Sequence, residues 1–199
     1  MTKTDEVLDA AREQGLIRPR DLKRRGLPPR LLRRLAERGA VERVGRGLYR
    51  HPEAPLTEHH SLALVSKRYP EARVCLLSAL QFHEMTTQWP HAVWVALAGG
   101  AWKPETPPTK LQVARMSGPA LTEGTEEHIL EGVPTKVHGP AKTVADCFKF
   151  RSRVGPGVAL EALRDYLQEE KGSVDDLFRY ADICQVQGVM RPYLEAMMA

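Results

Sequence analysis

Arg30, Arg33 and Arg34 recur at i, i+3 and i+4, the spacing that places three side chains on one face of a helix. Leu31, Leu32 and Leu35 alternate with them on the opposite face. Arginine is the side chain that pairs bidentately with guanine O6 and N7, and it also pairs with phosphate. A helix that is apolar on one side and arginine-rich on the other has the chemistry of a nucleic-acid reader. Residues 18–50 around it hold 12 Lys/Arg against 3 acids (Asp21, Glu37, Glu42), a local net of +9, whereas the whole chain nets +4. Residues 51–199 carry 15 basic and 18 acidic residues, a net of −3. So concentrated a charge is the electrostatic footprint of a nucleic-acid-binding module joined to something else.

The elements that must position these arginines follow from the punctuation. Pro19 suits the first position of a short helix that stops at Gly26. Leu27-Pro28-Pro29 breaks the chain, and a second helix over 28–38 ends at Gly39. Residues 41–44 and 48–50 then flank Gly45-Arg46-Gly47 as a small hairpin. Before all of these, residues 4–15 read as a helix capped by Thr4 or Asp5 and ended by Gly15, and Leu16-Ile17 as an extended link. Three helices and a hairpin in this order are a winged helix-turn-helix. Its second helix enters the major groove and its wing lies on the backbone or in an adjacent minor groove. In that geometry Arg30, Arg33 and Arg34 face base edges. Arg20, Lys23, Arg24, Arg38, Arg43 and Arg50 contact the backbone, with Arg25 beside them. Arg46, between glycines at the hairpin tip, reaches a minor groove.

The remaining chain reads as an α+β domain over 56–199 that ends in helices, separated from the winged helix at 1–50 by His51-Pro52-Glu53-Ala54-Pro55. A helix over 56–69 comes first, then a segment at 74–83 that begins β-like and continues helical. The nearly all-apolar run 92–97 reads as a central strand, and 111–116 as another. Residues 99–108 read as a loop. Residues 127–131 and 133–138 form a hairpin turning at Gly132; Pro134 puts its second arm near an edge or delays that arm's pairing until after the proline. Helices follow at 140–150, 158–169, 174–186 and 190–198, with Ser173 as an N-cap. Trp94 is read as core, Trp89 and Trp102 as partly exposed beside prolines.

Other chemistry is weaker. Ser78 and His83 are five apart, off a common helical face, and no G-x-S-x-G surrounds the serine. The seven histidines show no metal-ligand spacing, and no G-x-x-x-x-G-K phosphate loop is present. Asp165 with Glu169 and Lys171 could suggest a nuclease, but the segment reads as a helix end rather than adjacent strands. No catalytic residue, metal ligand or cofactor is therefore assigned. Cys75, Cys147 and Cys184 form no pair and are read as small buried residues of a reducing compartment. No apolar run approaches the ~20 residues of a membrane span, and residues 1–6 lack a signal-peptide core; the cytoplasm is the expected location. The helix at 140–150 has too many large apolar groups for one narrow face. It is either a core-packed helix or a partner-binding surface, and its Lys142 and Asp146 are spaced to pair at i, i+4 for a few tenths of a kcal/mol, roughly.

Residues 27–50, the run Ser78-Ala79-Leu80-Gln81-Phe82-His83 and the run Pro140-Ala141-Lys142-Thr143-Val144-Ala145-Asp146-Cys147-Phe148 together resemble the AbiEi antitoxin family of type IV (abortive-infection) toxin–antitoxin systems, over nearly the full chain. The resemblance implies a winged helix that binds inverted repeats in its own promoter and represses transcription. It also implies a C-terminal domain that counteracts a cognate nucleotidyltransferase toxin, no cofactor, and a monomer in solution with two or more copies on DNA. It carries over to the DNA-facing positions of 28–38 and to Arg46, and it assigns no toxin-opposing residue. Arg18 departs from the Ser/Thr/Asp cap usual before the second helix and is expected instead on a phosphate. Two other readings stand beside this one: a winged-helix regulator whose second domain binds a ligand or another protein, and a DNA-processing enzyme with a winged-helix targeting domain.

Overall fold

The first helix, α1 (Lys3–Gln14), starts at a capping box. Thr2 Oγ1 accepts from the Asp5 N–H at 3.2 Å, and Asp5 Oδ2 accepts from the Thr2 N–H at 2.8 Å. The cap is thus Thr2, not Thr4 or Asp5, because Asp5 at the third helical position can reach back to it. The computed structural model describes residues 2–100 and 107–198; Trp102 and most of the loop expected at 99–108 lie outside the described residues. Two units result, one of residues 2–70, 107–109 and 128–135, the other of 71–100, 110–127 and 136–198. By packing, the first unit extends to residue 70 and takes in a segment from much later in the chain.

In the first unit α1 is followed by β1 (Leu16–Ile17), α2 (Pro19–Arg24), α3 (Arg30–Glu37), β2 (Glu42–Gly45), β3 (Leu48–Arg50) and α4 (His60–Arg68). The three strands form an antiparallel sheet in the order β1-β3-β2. Leu16 faces Arg50 and Ile17 faces Tyr49 on one side of β3, and Glu42 faces Arg50 on the other. The expected link Leu16-Ile17 is therefore a strand, and β3 is central, which buries Leu48, Tyr49 and Arg50 alike. Val7, Ala10, Ala11, Ile17, Leu22, Leu32 and Leu35 make the core between the helices and this sheet. A second cluster joins Leu16 and Leu48 to Ala63 and Leu64 of α4 and to Val133.

Two polar sites hold this unit together. Asp21 pairs with Arg18 (3.3 Å) and with Lys67 of α4 (3.2 Å), all three buried, and the Arg18 Nη1 donates to the Lys67 carbonyl. Burial would raise the Asp21 carboxyl, but the Arg18 hydrogen bond and the Lys67 charge hold it below the usual carboxylate range. Arg18 is thus an internal tie, not the phosphate contact expected of it. Glu131 accepts from the Thr57 N–H at 2.8 Å and lies 2.7 Å from His60 Nδ1, a carboxylate at the N-terminal end of α4, where the helix dipole favours it.

The second unit contains β4 (Arg73–Val74), α5 (Leu76–Phe82), β5 (Val93–Ala98), β6 (Leu111–Met116), α6 (Pro119–Thr122), β7 (Thr125–Leu130), β8 (Val133–His138), α7 (Pro140–Lys149), α8 (Arg151–Val154), α9 (Pro156–Gln168), α10 (Val174–Ile183) and α11 (Gln187–Met198), the turn end of the β7–β8 hairpin being counted with the first unit. The sheet order is β6-β5-β4-β8-β7. The apolar strand β5 is internal, parallel to β6 and antiparallel to β4. Pro134 precedes the residues of β8 that pair with β4, Lys136 and Val137, so pairing with β4 begins after the proline. Glu131 and Gly132 both have positive φ, 49° and 75°, as a two-residue type I′ hairpin turn requires. The chain is α+β, with a helical C-terminal part, as expected.

Every residue of α7 from Ala141 to Phe148 is buried, because the helix packs against α5, α9 and α10. That decides between core and partner-binding surface in favour of the core. Lys142 and Asp146 do pair as their spacing suggested, and the pair is buried. Trp94 is in the core and Trp89 is exposed. Ser78 Oγ accepts from the Trp94 N–H at 2.9 Å, a structural use of that serine.

Candidate nucleic-acid interface

The helix α3 is short, eight residues, and its two leading prolines set where it starts. Leu32 and Leu35 are buried on its inner side, whereas Arg30, Arg33, Arg34, Glu37 and the cap residue Arg38 are exposed. The face that periodicity assigned to bases is a solvent face of the folded unit. On α2, Arg20, Lys23 and Arg24 are exposed as well. Arg25 is also exposed and bonds Glu13 at 3.1 Å.

The wing is a tight hairpin. Arg46 and Gly47 form its two-residue turn, with Gly47 at φ 65°, a conformation glycine adopts without strain. Arg46 is exposed at the tip and Arg43 along β2, where its Nε donates to the Gly45 carbonyl at 3.3 Å. An open groove of about 630 Å³ is lined by Arg33, Ala36 and Glu37 of α3 and by Arg43 and Tyr49 of the wing. The helix α3 and the wing thus share one concave surface.

Arg50 departs from the expected backbone contact. Its Nε and Nη2 donate to Glu42 Oε2 at 3.2 and 2.5 Å, and its Nη1 donates to the Ala54 carbonyl at 3.0 Å. The guanidinium is buried and committed to the wing's own geometry. The other nine expected DNA-binding residues (Arg20, Lys23, Arg24, Arg30, Arg33, Arg34, Arg38, Arg43, Arg46) are exposed. Periodicity alone missed Glu37, whose Oε1 accepts from Arg33 Nε at 3.0 Å. Its signal in the sequence is that it is the only acid of an otherwise basic helix.

Elsewhere, Lys171 pairs with Glu169 at 2.9 Å, and burial together with Glu161 and Glu169 raises the Asp165 carboxyl. Among the described residues, no group of three or more His, Cys, Asp or Glu could hold a metal ion. The three cysteines are free and buried; burial, with Asp146 nearby, pushes the Cys184 thiol up to about 12. A cavity of about 500 Å³ in the second unit is lined in part by Arg115, Ser117, Asp146, Lys149, Cys184 and Gln185. No described helix is long and apolar enough to cross a membrane.

Residues 5–52 match a family described as a transcriptional regulator, AbiEi antitoxin. The crystal structure of the RV2827C protein from Mycobacterium tuberculosis is similar, with a TM-score of 0.62 at 16% identity over 92% of this chain and 72% of that one. At that identity the likeness shows the fold. No match is found among curated proteins. Residues 5–52 of this chain are thus similar to a family of transcriptional regulators, the AbiEi antitoxins.

Proposed function

We propose that this protein is the antitoxin and transcriptional autorepressor of a toxin–antitoxin pair. The first unit binds inverted repeats in its own promoter, with α3 in the major groove and the wing on the adjacent backbone or minor groove. The observation that supports this most is the outward arginine row of α3 sharing a groove with the wing. Arg30, Arg33 and Arg34 address base edges; Arg20, Lys23, Arg24, Arg38 and Arg43 address phosphates; Arg46 enters a minor groove. The protein is a cytoplasmic monomer that occupies the repeats in two or more copies. The second unit counteracts a cognate nucleotidyltransferase toxin, a role supported only indirectly, by the match of residues 5–52 to an antitoxin family.

Gel-shift titration of upstream DNA tests the first half. Arg34→Ala is expected to weaken specific binding by ~1–3 kcal/mol. The logarithm of affinity is expected to fall with the logarithm of salt by about 0.9 per phosphate neutralised. A flat salt dependence and an Arg34→Ala variant that binds as the parent does would overturn it. Co-expression with a neighbouring nucleotidyltransferase tests the second half: restored growth supports it, continued arrest overturns it. The 500 Å³ cavity of the second unit favours one other reading, a winged-helix regulator whose second domain takes a small ligand. That reading predicts continued arrest together with ligand-dependent DNA binding.

A further inference from the structure

Residues 18–50 contain three acids, and each holds an arginine. Asp21 binds Arg18 and Glu42 binds Arg50, in both cases with the guanidinium buried. The third pair differs. Arg33 Nε donates to Glu37 Oε1 at 3.0 Å, with side chains 83% and 60% exposed, on the face of α3 that the DNA-binding reading turns toward bases.

Helix stability does not account for this pair. An acid in the last helical position opposes the helix dipole, and arginine before glutamate at i, i+4 is the weaker order. Exposed pairs contribute little in any case. An acid on a face that meets phosphates also opposes non-specific binding. Its effect on Arg33 is specific, however. A bond through Nε fixes the plane of the guanidinium and leaves Nη1 and Nη2, which have no partner among the described residues, as an outward fork. That fork matches the O6 and N7 acceptors of guanine.

We infer that Glu37 is a specificity-determining residue: it orients Arg33 to read one guanine in each half-site and holds that arginine off the phosphates. This deepens the proposed DNA-binding function and rests on it.

The test is competitive binding of the full chain to an upstream repeat duplex, to the same duplex with each base pair replaced in turn, and to an unrelated duplex. The parent protein is expected to prefer guanine at one position per half-site by roughly 5- to 150-fold, and Arg33→Ala to abolish that preference. Glu37→Ala is expected to lose most of it while binding the unrelated duplex more tightly. Glu37→Gln keeps a hydrogen-bond acceptor and loses the charge, so it is expected to retain the guanine preference and still gain non-specific affinity. Glu37→Ala that discriminates as the parent does would overturn the role of Glu37 and leave DNA binding intact. A parent protein that binds no duplex would overturn both. Thermal melts of the variants, expected within a few degrees of the parent, separate these effects from loss of fold.

Discussion

His138 and Asp146 meet in the interior of the second unit, Nδ1 lying 2.7 Å from Oδ2 with both side chains closed off from solvent. Lys142, one turn before Asp146 on α7, pairs with the other carboxylate oxygen, and Cys184 Sγ lies 3.4 Å from that same oxygen. The imidazole Nε2 is 3.3 Å from the Leu121 carbonyl, and the His138 carbonyl accepts from Thr143 Oγ1 at 3.0 Å. One carboxylate thus organises β8, α7 and α10.

Removing that carboxylate strands a buried ammonium. Asp146→Ala is expected to lose about 3–5 kcal/mol of stability, measured by urea unfolding. Replacing Lys142, Asp146 and His138 together by apolar residues of similar volume is expected to cost much less, because no charge is left behind. A single variant as stable as the parent would show that the carboxylate is dispensable.

The same group gives an acid limb to stability. Burial would raise the Asp146 carboxyl, but the His138 hydrogen bond and the Lys142 charge outweigh burial and hold it below its usual value near 3.8. A depressed folded value means that the stabilisation is complete above 3.8 and is lost as pH falls through the lower folded value. Unfolding free energy measured down the acid range is expected to drop below that point, and to drop less in the triple apolar variant.

Arg50 offers a way to separate structure from contact. Arg50→Ala removes charge-assisted hydrogen bonds to Glu42 and a bond to Ala54, and is expected to cost about 1.5–3 kcal/mol of stability. The slope of affinity against salt is expected to stay as in the parent, since no phosphate contact is lost. A slope reduced by about 1 in Arg50→Ala would return this residue to the DNA surface.

Two glycines of the first unit test close approach. A Cβ on Gly15 would lie 2.4 Å from the Glu131 carbonyl oxygen, and one on Gly132 would lie 2.7 Å from the Gln14 carbonyl oxygen. Gly39 has a similar positive φ with open space around it. Alanine at Gly39 is expected to cost about 1 kcal/mol, the price of the left-handed backbone, and alanine at Gly15 or Gly132 clearly more. Equal melting temperatures for the three variants would contradict the clash.

Much of the first unit is legible in the sequence because its punctuation is local. Pro19, Gly26, Pro28, Pro29, Gly39 and the Gly45–Gly47 turn mark the ends of helices and hairpin, and the spacing of Arg30, Arg33 and Arg34 against Leu32 and Leu35 assigns the faces of α3. What is not legible is pairing at a distance. Arg50 looks like an outward residue until Leu16 and Ile17 are known to pair with β3, which turns the wing strand into the middle of a sheet. Lys142 and Asp146 are legible as a pair, but not as a buried one until α5, α9 and α10 enclose α7. Glu131 reaching Thr57 and His60 has no local signal, so the packing of α4 and residues 128–135 into the first unit is not legible either.

Because Val133 packs with Leu16, Leu48 and Leu64, the order of synthesis matters. Chains are made at ~5–20 residues per second and fold from the N-terminal end, so Leu16 and Leu48 wait roughly 4 to 17 s after the wing is made before Val133 reaches them. During that interval α3 and the wing stand on an unfinished support. Closure of this part of the core therefore waits for the β7–β8 hairpin to be made.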